Sequence, residues 1–248
     1  MEFKHKHVVV TGGSSGIGAA IVQKFVEEGA FVHVLDVSIP DANTSSQVAY
    51  HECNIAQQAA VQQIVDQIVT RHPLHILVNN AGIAYVGKLE DTSEADLDRL
   101  YSVNIKGVYN CLYAVIPHFK QQGGGVILNI ASVAGSVGIA GRFAYSMTKG
   151  AVLAMTYSVA KDYLQANIRC NAISPARIHT PFVDGFIAKH YPGQEQNMLA
   201  QLAASQPIGR MGTPEEVAHL AVFLCSDKAG FITGTDYPID GGFIKLNS

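Results

Sequence analysis

The sequence predicts an α/β fold: one doubly wound domain over residues 1–248, with a parallel sheet of about seven strands and helices on both faces. Short apolar runs of strand length alternate with longer segments of helical period along the whole chain. The strand runs are continuously apolar, as expected where both faces of a sheet are covered. A glycine-rich turn joins the first strand to the first helix, a place where such sheets bind ligands.

"HVVVTG" is a short buried strand, and the helical spacing of "GIGAAIVQKFVEEGA" runs to Gly29. "FVHVLDV" and "VAYHECN" read as the second and third strands. In "QAAVQQIVDQIVTRH", Val61, Ile64, Val65, Ile68 and Val69 share one face of an amphipathic helix. "HILVNNAG" is a strand that ends in polar residues and a glycine. Residues 93–121 read as two helices or one bent one, ended by Pro117 and by Gly123 to Gly125. "GVILNIAS" is a strand, "YSMTKGAVLAMTYSVAKDYL" a long helix and "IRCNAIS" a strand. Residues 183–204 read as polar and helical. "TPEEVAHLAVFLCS" is a helix with Thr213 as N-cap, Pro214 in its first position and Glu215 and Glu216 in its first turn. "TDYPIDGG" supplies the last strand.

Composition narrows the function. Hydrophobic residues make up 48% and charged residues 15%, and the net charge is −3, so no basic excess points to nucleic acid or to a membrane surface. No run reaches the roughly 18 apolar residues of a membrane span. No secretory signal pattern is present, which gives a cytoplasmic expectation. Cys53, Cys111, Cys170 and Cys225 are far apart and form no CxxC, so they read as buried thiols in a reducing compartment. The histidines, among them His5, His7, His51, His72 and His75, form no HExxH, and no metal is expected.

In "VTGGSSGIGAAI", Gly12, Gly16 and Gly18 permit a tight turn and a close approach of backbone to a ligand. With Ser14, Ser15 and Ile17 they open a helix whose free N–H groups and positive dipole end suit a pyrophosphate. The spacing is G-x-x-x-G-x-G rather than the commoner G-x-G-x-x-G. Asp36 ends the second strand, where a carboxylate accepts hydrogen bonds from the adenosine ribose; taken alone it is more commonly a solvated strand end, and the glycine turn tips the reading toward ribose. That carboxylate repels a 2′-phosphate, and no Lys or Arg stands at Ser14, Ser15, Val37 or Ser38 to hold one, so the expected cofactor is NAD.

Tyr145 and Lys149 are spaced i, i+4 and share a helix face, which brings an ammonium near a phenol. A nearby positive charge favours phenolate, and such a phenol can take a proton from an alcohol or give one to a carbonyl oxygen. Ser132 ends the strand "GVILNIAS", at the edge where ligands bind, and is by itself equally a turn cap.

These motifs taken in order resemble the short-chain dehydrogenase/reductase family over nearly the whole chain. The resemblance rests on "TGGSSGIG", "NNAG" at Asn79–Gly82, Asn104 in "SVNIKG", Ser132, "YSMTK", the turn from Pro175 to Thr180, and "IDGG". It implies a Rossmann-type sheet and hydride transfer between a nicotinamide and an alcohol or carbonyl carbon. Tyr145 would be the general acid/base, Lys149 would lower its pKa and bind the nicotinamide ribose, and Ser132 would orient the substrate oxygen. Asn104 would hold a water in the proton relay. Asn80, Ala81 and Gly82 would line the adenosine side, Asn54 and Ile55 would meet the adenine, and Pro175, Ile178 and Thr180 would frame the carboxamide. Asn54 stands where the family usually has aspartate, and Ala176 replaces a frequent glycine. The segment at about 176–208 would cover the substrate, and a homotetramer is the family's common state.

Arg177 and His179 flank Ile178 in that segment. An arginine fork matches a carboxylate, so a small carboxylate substrate is expected, with Arg177 and His179 as candidate contacts and Arg142 as a second anion binder. "PARIHTPFVDGFIAKHYPGQE" is similar to a subgroup of sugar-acid dehydrogenases, those that oxidise 2-keto-3-deoxy-L-fuconate at C4 in L-fucose catabolism. His190 and Tyr191 in this stretch are either further lid contacts or solvated helix-end residues. Rival readings are a dehydrogenase of another hydroxy acid such as 3-hydroxybutyrate, and a catalytically silent NAD(H)-binding sensor.

Overall fold

The computed structural model describes residues 1–41 and 45–246; the last two positions of the expected domain lie outside the described residues. Seven strands are described: β1 (His7–Thr11), β2 (Phe31–Asp36), β3 (Val48–Glu52), β4 (Ile76–Asn79), β5 (Gly125–Ile130), β6 (Ile168–Pro175) and β7 (Asp236–Ile239). They form one sheet in the order β3-β2-β1-β4-β5-β6-β7, and each pairing is parallel. The helices are α1 (Gly16–Glu27), α2 (Gln58–Arg71), α3 (Glu94–Leu100), α4 (Gly107–Gln122), α5 (Phe143–Asp162), α6 (Pro181–His190), α7 (Glu195–Ala204) and α8 (Pro214–Cys225), with a last short turn at Phe243–Leu246.

The sheet separates two cores, and the two-residue strand period assigns each side chain to one of them. Val9, Leu77 and Ile127 pack with Val61 and Val65 of α2, Phe119 of α4 and Val152 of α5. Val8, Val10, Ile76, Val78 and Leu128 face the other way, onto Ile21 and Phe25 of α1 and Val217 and Val222 of α8. Each fully buried side chain of this size contributes about 1.5–3 kcal/mol. Burial on both faces explains why the strands read as unbroken apolar runs.

Two helical expectations need correction. Pro117 lies inside α4, which continues to Gln122 and stops at Gly123, where φ is 86°. The carbonyl that lacks its partner belongs to Tyr113, a residue exposed to water, so the proline is tolerated there. Residues 183–204 form two helices, because Tyr191 turns out of α6 and Gly193, at φ 79°, carries the chain into α7. The helix after Thr213 has the expected start: Thr213 Oγ1 accepts from Glu216 N, and Glu216 accepts from Thr213 N at 2.9 Å.

A buried polar column joins the sheet centre to α5. Asn79 Nδ2 donates to Asn129 Oδ1 at 2.9 Å, and Asn129 Nδ2 donates to Thr156 Oγ1 at 2.8 Å. While Thr156 keeps its bond to Val152 O, Asn129→Ala leaves the Asn79 amide without a partner in the core. Its unfolding free energy should fall by about 2 kcal/mol. Urea unfolding checks this, and an unshifted midpoint would show that the column adds nothing net.

Candidate active site

The chain order reverses between β1 and β4, so the loops leaving their carboxyl ends part and open a crevice. A cleft of about 510 Å³ lies there, running from the glycine turn to Thr180 and Phe182. Each residue singled out for the cofactor lines it except Ser14, and Ser132, Tyr145 and Lys149 line it too. Asn104, Arg142, Arg177 and His179 do not form its walls.

At the glycine end, Gly12 and Gly16 hold φ of 64° and 54°, which disfavours any side chain there. A Cβ on Gly18 would run into the Gly12 carbonyl oxygen and come 2.5 Å from Asn80 Nδ2. The Asn80 amide donates to Thr11 O and Gly12 O at 3.0 and 2.9 Å. Thr11 Oγ1 in turn accepts from Asn80 N and Ala81 N, both at 3.0 Å. Asp36 Oδ2 accepts from Ser14 N at 3.0 Å and Oδ1 from Ser38 N at 3.2 Å, which holds the carboxylate at the cleft edge. The Ser14 hydroxyl is buried without a partner, and Ser15 does not cap α1 with its side chain. An orphan hydroxyl, an uncapped helix N-terminus and a turn with no room for side chains fit a dinucleotide.

At the other end, the chain passes from α3 through a π-helical turn, Tyr101–Lys106, into α4. That turn aims Asn104 inward. Asn104 exchanges hydrogen bonds with the Ile83 main chain, at 2.8 and 2.9 Å, and donates to Thr148 Oγ1 at 3.0 Å. It thereby ties the loop after β4 to α5. Ser132 caps the short turn after β5, accepting from Ala134 N at 3.2 Å, while its hydroxyl faces the cleft. The turn-cap and substrate readings of Ser132 are therefore compatible.

Burial pushes the Tyr145 phenol above its ordinary value; a hydrogen bond from Ser132 and the positive charge of Arg142 pull the other way. Lys149 Nζ lies 5.9 Å from the Tyr145 ring centre and donates to Ile130 O at 2.8 Å. Burial pulls its ammonium down to about 8. Arg142, at the N-cap of α5, is thus a cation acting on the phenol that the i, i+4 spacing did not disclose.

Arg142 Nη1 donates to Tyr85 O at 3.1 Å. Burial lowers both Arg142 and Arg177, and the Arg142 charge lowers Arg177 further, so the two cations lie near each other. Neither has an ion-pair partner among the described residues. His179 turns away: its Nε2 lies 2.7 Å from Asp184 Oδ1, on the exposed side of α6. His190 and Tyr191 pack on Phe186, with ring centres 4.5 and 6.4 Å apart, outside the cleft. Sequence reasoning missed Ile83, Val103, Phe182 and Val183, apolar wall residues that carry no signature beyond their place next to a motif.

A family profile described as enoyl-(acyl carrier protein) reductase matches residues 12–244. The chain belongs to the short-chain dehydrogenase/reductase family. It is 38% identical over 253 residues to an uncharacterized oxidoreductase of Thermotoga maritima, covering 98% of each chain. Its fold superposes on the ligand-free aldohexose dehydrogenase of Thermoplasma acidophilum with a TM-score of 0.91, at 36% identity over 97% of this chain and 94% of that one. ElxO, solved with NADP bound, gives 0.90 at 28% identity over 98% and 100% of the two chains. The doubly wound reading is therefore right, and the protein is an oxidoreductase that acts on CH–OH or carbonyl groups with a nicotinamide cofactor.

The electrostatics give a test. Arg142→Gln removes a charge that favours phenolate, so Tyr145 should lose its proton only at higher pH. The acid limb of the pH profile for alcohol oxidation should move upward, and Arg142→Lys should largely restore it. An acid limb that stays in place in Arg142→Gln would remove Arg142 from the proton chemistry.

Proposed function

We propose that the protein is an NAD-dependent dehydrogenase of a secondary alcohol that carries a carboxylate, most specifically a 2-keto-3-deoxy sugar acid such as 2-keto-3-deoxy-L-fuconate. The observation that carries this reading is a pair of neighbouring guanidinium groups, Arg142 acting on Tyr145 and Arg177 close to Arg142, with no acidic partner among the described residues. Half-buried cations are costly unless they are paired. A substrate carboxylate supplies the missing charge and lies within reach of the reacting oxygen. His179, engaged with Asp184, is left out of this contact. The polyhydroxy character of the substrate is supported by the likeness to an aldohexose dehydrogenase and by the lid sequence.

The bound nicotinamide supplies the hydride acceptor for oxidation and the donor for reduction. The chain's own residues handle binding and the proton. Ser132 holds the substrate oxygen, and Tyr145 takes its proton as the carbonyl forms. Lys149, fixed by the Ile130 carbonyl, keeps a cation beside the phenol and would hold the nicotinamide ribose. Asn104, anchored on Ile83 and Thr148 beside the loop after β4, would hold a relay water. Asp36 supports NAD over NADP, since two backbone N–H groups hold its carboxylate where a 2′-phosphate would enter. The free, buried cysteines support a reducing cytoplasm. No helix among the described residues is long and apolar enough to cross a membrane. Exposed Tyr109 and Tyr113 on α4 and Met147 and Tyr157 on α5 support a homotetramer closed through those helices.

A second reading, oxidation of 3-hydroxybutyrate or a similar short hydroxy acid, draws on the same arginines and on the apolar walls at Ile83, Val103 and Val183. NADH formation from 2-keto-3-deoxy-L-fuconate, 3-hydroxybutyrate and matched neutral polyols separates the two. Arg177→Ala should lower kcat/KM for the acid by roughly thirtyfold and leave any neutral alcohol unchanged. Equal turnover of neutral alcohols, indifferent to Arg177→Ala, would reject the carboxylate contact. For the cofactor, NAD should exceed NADP in kcat/KM by about a hundredfold, and Asp36→Ser should narrow that ratio. A preference for NADP would overturn the assignment.

A further inference from the structure

Three strands bring together histidines that looked unrelated in sequence, in a row that runs from the amino-terminal end of β1 diagonally toward the carboxyl end of β3. His7 begins β1, His33 lies in β2 and His51 in β3. His7 Nδ1 lies 3.2 Å from His33 Nε2, and His33 Nδ1 lies 3.3 Å from His51 Nε2. The result is a row of three rings joined nitrogen to nitrogen across three strands. Two more histidines abut its end. His72, at the end of α2, stacks on His7 with ring centres 4.3 Å apart and planes 9° apart. His75 Nδ1 accepts the backbone N–H of His7 at 3.1 Å. Phe31 packs against both His7 and His33, and His33 is buried.

The hydrogens of the row can be counted. Each of its ring-to-ring contacts needs one hydrogen, and the outer nitrogens, His7 Nε2 and His51 Nδ1, can each carry one more. Three neutral imidazoles bring one hydrogen each. One added proton fills the last outer position and both contacts survive. A second added proton places two hydrogens in one contact, and that contact breaks. His75 tolerates none, because a hydrogen on its Nδ1 would face the His7 N–H. The other groups acting on the row are cations or potential cations: Lys6 before β1, His72 at the end of α2, and His75 before β4. The acid on α2, Asp66, is engaged with His118 at 3.4 Å, and no carboxylate acts on a ring of the row among the described residues.

We propose that this row is an acid-sensitive latch that binds β2 and the edge strand β3 to β1, and that its protonation loosens the adenosine end of the cleft. The link to the cleft is short. His33 lies three residues before Asp36 on β2, and His51 three before Asn54. Both Asp36 and Asn54 are cleft residues. The latch stands on the row alone; its effect on the cofactor rests on the cleft reading above.

The sign follows from linkage. Burial holds His33 down to about 3 and His75 to about 4, and His7 and His51 also lie below the ordinary 6.5. The unfolded or opened chain therefore binds more protons than the closed one once the pH falls below that ordinary value. The stability these histidines contribute is fully present above it and is lost progressively as pH falls toward their folded values. Each ring that titrates only when released raises the opening constant about tenfold between about pH 7.5 and about pH 5.5.

Amide hydrogen exchange on the full-length protein without added cofactor, corrected for intrinsic exchange rates, tests the latch. Amides of β2 and β3 should lose at least about tenfold protection over that pH interval, while those of β5 and β6 keep theirs. His33→Gln, whose amide can bridge both neighbours without titrating, should abolish most of the loss, and His118→Gln should not. Should His33→Gln fail to fold, His51→Gln at the partly exposed end of the row should reduce the loss. Equal protection of β2 and β3 at both pH values, or the same loss in a folded row variant as in the parent, overturns the latch. NADH titration in parallel reads the coupling. Affinity should fall with the protection in the parent and hold in the row variant. Lost protection with unchanged affinity would overturn the link to the cleft and leave the latch itself standing.

Discussion

A small staple between two strand ends holds the arrangement together. Thr11 and Gly12 leave β1 where Asn80 and Ala81 leave β4, and each pair supplies what the other lacks: amide hydrogens from one, carbonyl and hydroxyl oxygens from the other. The chain reverses its order in the sheet at this point, so the loops leaving these two paired strands would otherwise be free to part. With the staple closed, the glycine turn is pressed against Ala81 and leaves no space for a side chain at Gly12 or Gly18. The helix that follows then begins with its N–H groups at the cleft. Asn80 is therefore a scaffold for the phosphate end as well as part of its wall.

The chemical end obeys a different constraint, the shortage of negative charge. Lys149 and Arg142 gather near one phenol with Arg177 close to Arg142, and backbone carbonyls of Ile130 and Tyr85 satisfy part of the hydrogen-bonding capacity of the first two. Carbonyl dipoles steady cations without neutralising them, so the site keeps a net positive field. Such a field favours phenolate in the free enzyme and an anion in the complex. It links the acid–base setting of Tyr145 to the choice of substrate, because a bound carboxylate would weaken the field that the phenol experiences.

What the sequence disclosed depended on how local each signal is. Strand and helix order, the glycine turn, the Tyr145–Lys149 pair and the cap at Thr213 are written in neighbouring residues, and the structure places them accordingly. Pro117 misled because the exposure of Tyr113 one turn earlier cannot be seen in the local pattern. Asn104 could be named by family likeness, yet the π-helical turn that aims it follows from packing between the loop after β4 and α5. His179 looked equivalent to Arg177 until the fold placed Asp184 beside it. The histidine row was hidden for the same reason. Its members are far apart in sequence and meet only through the stagger of parallel strands, in which His33 pairs with Val9 and His51 with Leu35.

Beyond β6 the chain makes an excursion from Ile178 to Gly212, and those two residues form an isolated parallel bridge. Arg177 O accepts from Gly212 N, and Gly212 O from His179 N, both at 2.9 Å. An excursion whose ends touch is topologically a detachable loop. Its closure entropy changes slowly with length, strand order does not depend on its contents, and only its first residues, through Val183, take part in the cleft. What lies between Val183 and Gly212 can thus be exchanged as a cassette, which would change what covers the cleft while the residues of the hydride chemistry stay in place.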